Sequence, residues 1–320
     1  MQRVLGRSGM EVSAIGLGTA RIGGLGFSRR GDHETRLIPE AVEEAKRAIR
    51  VAIDRGISFF DTADVYGAGR SERILGEAIR GVRQRVVIAT KFGEGFDEED
   101  GVETVVDVTP EYVAQACEGS LRRLGIDTID LYLFHLRDFP LDRAIVICDA
   151  LEDLVSAGKI RFYGWSTDDG ERAKLFSEGE HCTAVEHRLN ALMDAPEMLA
   201  LCEEEDLASI SRVPLLIGVL TGRWSAGTKL PDEDRRSDWF GEKGFLDCLR
   251  RAEALRPGLT VGGRSYVQGA LAWILARSPR TVPIPGFRTV SQVEELADTM
   301  RWGPLSAKEF EAVVGQEAMP

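Results

Sequence analysis

Short apolar runs alternate along the chain with longer segments whose apolar residues recur every three or four positions. The short runs read as buried strands and the longer segments as amphipathic helices. Eight runs have strand character: 13–20, 57–60, 85–91, 130–135, 159–167, 183–187, 207–211 and 281–284. Most are apolar along their whole length, which is typical of parallel strands that are covered on both faces. Eight βα units predict an α/β fold, a closed (β/α)8 TIM barrel with an N-terminal β-hairpin over residues 1–12 and extra helices at the C-terminus.

Local signals place several helix ends and one long loop. Pro39 and the pair Thr109-Pro110 mark helix starts, and Ser71 is in position to cap a helix that begins at Glu72. Residues 220–258 are expected to be a long irregular section, and the charge run Asp232-Glu-Asp-Arg-Arg within it reads as a solvated loop. The chain has no Pro/Gly/Ser-rich linker, so we expect a single barrel domain over residues 1–320.

The composition and charge of the chain argue against several classes of function. The chain carries 40 basic and 52 acidic residues, a net charge of −12, which should repel nucleic acid and anionic membranes. It has neither an apolar run of membrane-spanning length nor an N-terminal secretory core, so the cytoplasm is the expected location. The five cysteines are scattered without a C-x-x-C pair, and His181, Cys182 and His187 are not completed by a carboxylate motif. We therefore expect neither disulfides nor a metal site.

Ionisable residues stand where successive predicted strands end. Asp61 ends the second strand, Lys91 the third and His135 the fourth, and Tyr66 follows in the loop after Asp61. On a barrel the C-terminal strand ends form the mouth that carries catalysis, so these side chains should meet there. Taken singly, each could be a capping, surface or packed residue; the coincidence at equivalent strand ends favours a catalytic site.

Several motifs resemble the aldo-keto reductase family, and the resemblance runs over nearly the whole chain. They are Gly16-Leu-Gly-Thr, Phe60-Asp-Thr-Ala-Asp-Val-Tyr-Gly, Thr90-Lys-Phe-Gly, Asp130-Leu-Tyr-Leu-Phe-His, Gly218-Val-Leu-Thr-Gly and Ile284-Pro-Gly-Phe-Arg. The resemblance implies that Asp61, Tyr66, Lys91 and His135 are the catalytic set and that NADP(H) binds at the barrel mouth.

The resemblance also implies a cofactor site built from three groups of residues. Ser166, Thr167 and Glu186 would bind the nicotinamide carboxamide, and Arg212 stands where an aromatic residue often stacks on the ring. Pro214, Leu215, Gly218 and Leu220 belong to the loop expected along the pyrophosphate. Gly286, Phe287, Arg288, Gln292 and Glu295 match the adenosine end, where Arg288 is suited to a 2′-phosphate and so favours NADPH over NADH.

Six positions depart from the family pattern. Thr167 replaces an Asn, Glu186 a Gln, Arg212 an aromatic residue and Leu296 an Asn, while Leu189 stands where a Tyr is common and Arg137 where a Pro follows the histidine. A carboxylate at 186 accepts a hydrogen bond from the carboxamide NH₂ group but cannot donate one. These departures leave the catalytic set unchanged and weaken contacts to the cofactor.

The chemistry expected is reduction of an aldehyde or ketone, with hydride from the nicotinamide and a proton from Tyr66. Lys91 should lower the pKa of Tyr66 from its free value near 10, Asp61 should hold Lys91 charged, and His135 should orient the carbonyl oxygen. Two alternatives remain: a nucleotide-binding sensor or regulatory barrel with little activity, and a metal-dependent hydrolase, for which only His135 and Asp61 could serve as ligands.

For the reductase, the expected partner is a small carbonyl substrate. Both a monomer and a homo-oligomer fit the sequence.

Overall fold

The computed structural model describes residues 1–23, 39–98, 103–225 and 236–317. Its strands are β1 (Gln2–Val4), β2 (Glu11–Ser13), β3 (Leu17–Gly18), β4 (Phe59–Asp61), β5 (Val87–Phe92), β6 (Gly95–Phe96), β7 (Glu103–Thr104), β8 (Ile129–Phe134), β9 (Ile160–Ser166), β10 (Cys182–Arg188), β11 (Ala208–Arg212) and β12 (Thr281–Pro283). Its helices are α1 (Pro39–Asp54), α2 (Arg70–Ala78), α3 (Pro110–Leu124), α4 (Leu141–Ser156), α5 (Gly170–Ser177), α6 (Pro196–Glu204), α7 (Arg236–Leu259), α8 (Tyr266–Arg277), α9 (Val290–Trp302) and α10 (Ala307–Glu317).

Eight of the strands form one parallel sheet in the order β3-β4-β5-β8-β9-β10-β11-β12. The sheet closes on itself, because Gly16 N donates to Pro283 O at 3.0 Å and Gly18 N donates to Pro285 O at 3.1 Å. A Cβ at Gly18 would lie 2.9 Å from the carbonyl oxygen of Ile284, so the seam requires glycine there. The predicted (β/α)8 barrel is confirmed, with the hairpin of β1 and β2 before it.

Alternation along the strands creates two separate cores. Inward side chains such as Phe59, Ala89 and Leu133 pack inside the barrel against the N-terminal hairpin. Outward side chains such as Phe60 and Trp165 pack against the surrounding helices. Because side chains alternate with a period of two, the polar residues two positions after an inward apolar residue also point inward, at the mouth.

Two local predictions were wrong. Helix α2 begins at Arg70 after Gly69, and Ser71 does not cap it. The buried Ser71 hydroxyl instead donates to Thr19 Oγ1 at 2.7 Å and accepts from Thr62 Oγ1 at 3.0 Å, which ties the helix to the loops after β3 and β4.

The second wrong prediction concerns residues 220–258, which are not irregular throughout. Residues 226–235 lie outside the described part of the chain, but α7 covers Arg236–Leu259. Its buried face carries Phe245, Leu249, Ala252, Leu255 and Leu259, which recur every three or four residues. Gly241, Gly244 and Pro257 within the helix obscured that period in the sequence.

Candidate active site at the barrel mouth

The ends of β4 and β5 bring the first two predicted catalytic residues together. Asp61 is the last residue of β4 and is in register with Ala89 on β5. Lys91 follows Ala89 by two positions, so its side chain points inward as that of Ala89 does. Lys91 Nζ lies 2.5 Å from Asp61 Oδ1 and donates to Thr62 O at 3.0 Å. Burial alone would lower the pKa of Lys91, but the carboxylates of Asp61 and Glu186 raise it above its usual value. Lys91 is therefore held as an ammonium.

Tyr66 reaches the same ammonium from the loop after β4. Its hydroxyl oxygen lies 3.5 Å from Lys91 Nζ, and the ammonium lies 5.1 Å from the centre of the Tyr66 ring. Lys91 lowers the pKa of Tyr66 as the sequence suggested, but burial outweighs it, so the pKa of the phenol is raised above its ordinary value. Tyr66 is thus a neutral phenol, the form that can donate a proton.

His135 stands across the pocket from Tyr66, directly after β8. The two rings meet edge to face, with centroids 6.0 Å apart. His135 Nδ1 makes no hydrogen bond to any described residue and lies 3.6 Å from Glu94 Oε2. Burial, followed by the charges of Lys91, Arg137 and Arg212, lowers the pKa of His135 well below its usual value. The imidazole is therefore neutral and able to donate one hydrogen bond to a carbonyl oxygen.

The predicted carboxamide-binding residues lie on the adjacent strands. Ser166 on β9 is in register with Glu186 on β10, and Ser166 Oγ donates to Glu186 Oε1 at 3.2 Å. Glu186 Oε2 is buried and has no hydrogen bond within the described part of the chain, although it lies 3.3 Å from Lys91 Nζ. The Thr167 hydroxyl is engaged by the backbone, since it donates to Arg137 O at 3.2 Å and accepts from Asp169 N at 3.1 Å. Glu186 Oε2 is thus an open acceptor for an NH₂ group.

Arg212 is held by a carboxylate that sequence reasoning missed. It forms an ion pair with Asp168 Oδ2, which Arg188 Nε also contacts at 2.7 Å. Burial would raise the pKa of Asp168, but Arg212 and Arg188 hold it below its usual value. The signal available was that Asp168 directly follows the strand end at Ser166 and Thr167.

The loop after β11 adopts an unusual backbone conformation. Val213, Leu216 and Ile217 have positive φ angles of 50°, 44° and 55°, and Gly218 follows at 99°. Three non-glycine residues in this region store strain of roughly 1 kcal/mol or more each. Of the four predicted pyrophosphate residues here, Pro214 and Leu220 are buried, while Leu215 and Gly218 are partly exposed. Strained backbone at the mouth of a barrel is typical of a ligand-binding segment.

The residues predicted to bind the adenosine end of the cofactor follow β12. An isolated parallel β-bridge between Gly18 and Gly286 places the start of this segment beside β3. Phe287 is buried, while Gln292 Oε1 accepts from Arg288 N at 2.8 Å in the capping box that starts α9. The Glu295 carbonyl accepts from Gln268 Nε2 at 3.2 Å, so that residue also has a structural contact. Within the described residues, the exposed guanidinium of Arg288 has no hydrogen bond or ion pair. Its charge is available to an anion.

These residues fit a nicotinamide dinucleotide. The buried open acceptor at Glu186 matches a carboxamide NH₂ group, and the open guanidinium of Arg288 matches a phosphate. Within the described part of the chain, no group of three or more His, Cys, Asp or Glu residues is arranged to hold a metal ion. No helix there combines the length and apolar character that crossing a membrane requires.

The chain belongs to the aldo/keto reductase family, whose family model matches residues 14–316. A relative in Schizosaccharomyces pombe, the NADP(+) aldo-keto reductase yakc, is 30% identical over 317 residues, which cover 95% of this chain and 90% of that protein.

Solved structures of the family share the fold. A glycerol dehydrogenase from Gluconobacter oxydans is 29% identical with a TM-score of 0.84, covering 99% of this chain and 95% of that one. An aldo-keto reductase from Klebsiella pneumoniae, solved in complex with NADPH, is 26% identical with a TM-score of 0.72, covering 100% of this chain and 97% of that one. The family predicted from the sequence motifs is confirmed.

Proposed function

We propose that this chain is an NADP(H)-dependent reductase that converts an aldehyde or ketone into an alcohol, with Tyr66 as the proton donor. The observation that carries the proposal is the approach of the Tyr66 hydroxyl to the buried pair of Lys91 and Asp61, with neutral His135 opposite. Complexes of relatives with NADP and NADPH support the choice of cofactor.

Each of these residues has a separate role in protonating the carbonyl oxygen of the substrate. His135 donates a hydrogen bond to that oxygen and so orients it for attack on the carbon. Tyr66 then gives its proton to the oxygen as negative charge builds up there. The phenolate left behind is stabilised by the ammonium of Lys91, which Asp61 keeps charged. When bound, the nicotinamide supplies the hydride.

The remaining predicted residues would bind the cofactor and hold it in position. Glu186 Oε2 would accept from the carboxamide NH₂ group, and Ser166 beside it would offer its hydroxyl oxygen as an acceptor. The strained loop that contains Gly218 would follow the pyrophosphate, and Arg288 would bind a 2′-phosphate through its guanidinium.

The test is turnover of a simple aldehyde with NADPH, comparing the wild type with Tyr66→Phe. We expect the variant to bind NADPH normally and to lose about 10²- to 10⁴-fold in kcat, because the hydroxyl group that donates the proton is removed while the ring stays. NADPH binding without turnover by the wild type would favour the regulatory barrel instead. Failure to bind either nucleotide would overturn both functions.

A further inference from the structure

Lys91 has a second carboxylate partner besides Asp61. Its Nζ atom lies 2.5 Å from Asp61 Oδ1 on β4 and 3.3 Å from Glu186 Oε2 on β10. All three side chains are excluded from solvent, with 0% exposure for Lys91 and 3% for each carboxylate. The position of Glu186 was predicted to contact only the cofactor, whereas here it also contacts the catalytic ammonium.

The three groups do not balance in charge. One ammonium and two carboxylates carry one excess negative charge when all are ionised, and a buried net charge is costly. Two carboxyl groups beside each other avoid that cost when one of them keeps a proton. Accordingly, burial and then the charge of Glu186 raise the pKa of Asp61 well above its usual value, against the opposing effect of Lys91.

Among the described residues, no group other than Lys91 forms an ion pair with either carboxylate of this cluster. Tyr66, from the loop after β4, and His135, after β8, are neutral for the reasons given above. Arg212 on β11 also acts electrostatically on Glu186, but its ion pair is with Asp168. Ser166 on β9 contributes a neutral hydroxyl.

We propose that Asp61 and Glu186 together hold one exchangeable proton beside Lys91, and that the enzyme gives up this proton when a positively charged nicotinamide ring is bound. This inference rests on the proposed function, because it needs the ring to lie next to Glu186. A pyridinium ring there supplies the positive charge that the second carboxylate lacks. A neutral dihydronicotinamide does not, so the carboxyl group stays protonated.

The same geometry gives the proton a route. Lys91 Nζ lies within 3.5 Å of an oxygen of Asp61, Glu186 and Tyr66. After the O–H bond of Tyr66 breaks and the alcohol O–H bond forms, an N–H proton of Lys91 moves to the phenolate. The carboxyl O–H bond then breaks and restores the ammonium. The balance is one proton moved from the carboxyl pair to the alcohol, with Lys91 and Tyr66 unchanged.

The test is the dissociation constant of NADP⁺ relative to that of NADPH, measured by intrinsic fluorescence between about pH 5 and pH 9. For the wild type we expect the ratio Kd(NADP⁺)/Kd(NADPH) to fall by up to about tenfold per pH unit until the carboxyl pair is ionised, and then to level off. The ratio cancels the titration of the 2′-phosphate, which both nucleotides share. Glu186→Gln should give a nearly constant ratio, since its cluster is a neutral ion pair without a spare proton.

Glu43→Gln removes a carboxylate from the exposed surface of α1 and is the matched control. It should keep the wild-type pH dependence. A ratio that does not vary with pH in the wild type, or that varies equally in Glu186→Gln, would overturn the inference while leaving the reductase proposal in place. Failure of both nucleotides to bind would overturn the two together.

Proton counting by titration calorimetry in two buffers of different ionisation enthalpy needs no variant. Below the titration of the carboxyl pair, NADP⁺ binding by the wild type should release about one proton more than NADPH binding does. Equal release for the two nucleotides would overturn the inference even if Glu186→Gln fails to fold.

Discussion

The ammonium of Lys91 and the carboxylate of Asp61 lie 2.5 Å apart on neighbouring strands inside the barrel, out of contact with solvent. In most proteins, removing one partner of such a buried pair leaves an uncompensated charge and costs about 3–5 kcal/mol. Here Glu186 lies 3.3 Å from the same nitrogen and can take over as the counter-ion. Either carboxylate can therefore serve as the counter-ion of Lys91, whereas both carboxylates depend on the same ammonium.

This redundancy predicts a strong coupling between two substitutions. Asp61→Asn and Glu186→Gln each leave Lys91 one carboxylate, so each should change the free energy of unfolding only modestly. The double variant leaves the ammonium buried without a counter-ion, and it should be less stable than the sum of the singles by about 1–3 kcal/mol. Urea unfolding of all four proteins near neutral pH measures the cycle. Additive effects would show that Glu186 does not act as a counter-ion.

A second prediction concerns the exposed guanidinium of Arg288. Arg288→Ala should weaken NADPH binding by about ten- to a hundredfold, because a charge-assisted contact to the 2′-phosphate is worth roughly 1.5–3 kcal/mol. NADH lacks that phosphate, so its affinity should not change. Fluorescence titration with both nucleotides measures the difference. Arg301→Ala, which removes an exposed arginine from the last turn of α9, is the control. An equal loss for NADPH and NADH would remove the 2′-phosphate assignment.

The sequence was sufficient for the barrel and for the side chains at its mouth because both follow from local patterns. Strands that end in Asp61, Lys91 and His135 could be recognised from short apolar runs, and the parallel arrangement then placed their ends together. By contrast, the contact between Lys91 and Glu186 depends on how far two non-adjacent strands stand apart across the barrel. No residue spacing encodes that distance.

The wrong predictions have similar physical origins. Ser71 stands at a helix start, where a capping role is the local expectation, but a tertiary partner at Thr19 takes its hydroxyl. The regular spacing of apolar residues in α7 was hidden in the sequence by glycines and a proline, which the packing of the helix tolerates. Asp168 was missed because its partner Arg212 is 44 residues away along the chain. In all three cases the deciding information lies in tertiary packing, which the local sequence does not show.

A third prediction follows from buried His187, which is 1% exposed. Its Nε2 lies 2.7 Å from Ser209 Oγ and its Nδ1 3.2 Å from Arg188 O, so the neutral ring is fully bonded. Burial lowers the pKa of His187 from 6.5 to about 4. The unfolded chain therefore binds a proton below about pH 6.5 that the folded chain does not, and stability is lost as the pH falls from about 6.5 towards 4.

The loss attributable to His187 should be about 3 kcal/mol over that window. His187→Gln has no proton to bind in either state, so its free energy of unfolding should fall less steeply with acidification. Guanidinium unfolding of both proteins at about pH 7 and about pH 4.5 measures the difference. Parallel pH dependences would mean that His187 is not held neutral in the folded state.

A fourth prediction tests how the strands position Ser166 and Glu186. Gly164 on β9 is in register with Ala184 on β10, and the two site residues follow each of them by two positions. A Cβ at Gly164 would lie 2.0 Å from the carbonyl oxygen of Ala184, a backbone atom that cannot rotate away. Gly164→Ala must therefore push β9 and β10 apart below the mouth. It should destabilise the protein by about 1–3 kcal/mol and weaken NADPH binding at the same time.

Gly170→Ala offers the matched control, since the same methyl group at the start of α5 meets no atom within 4 Å. That variant should be as stable as the wild type or slightly more stable, because alanine restricts the unfolded chain and suits a helix. Thermal unfolding and NADPH titration of the two variants separate the effects. Destabilisation without weaker binding would mean that Ser166 and Glu186 keep their places when the strands shift. Equal stability of the variants would mean that the barrel relaxes around position 164 at little cost.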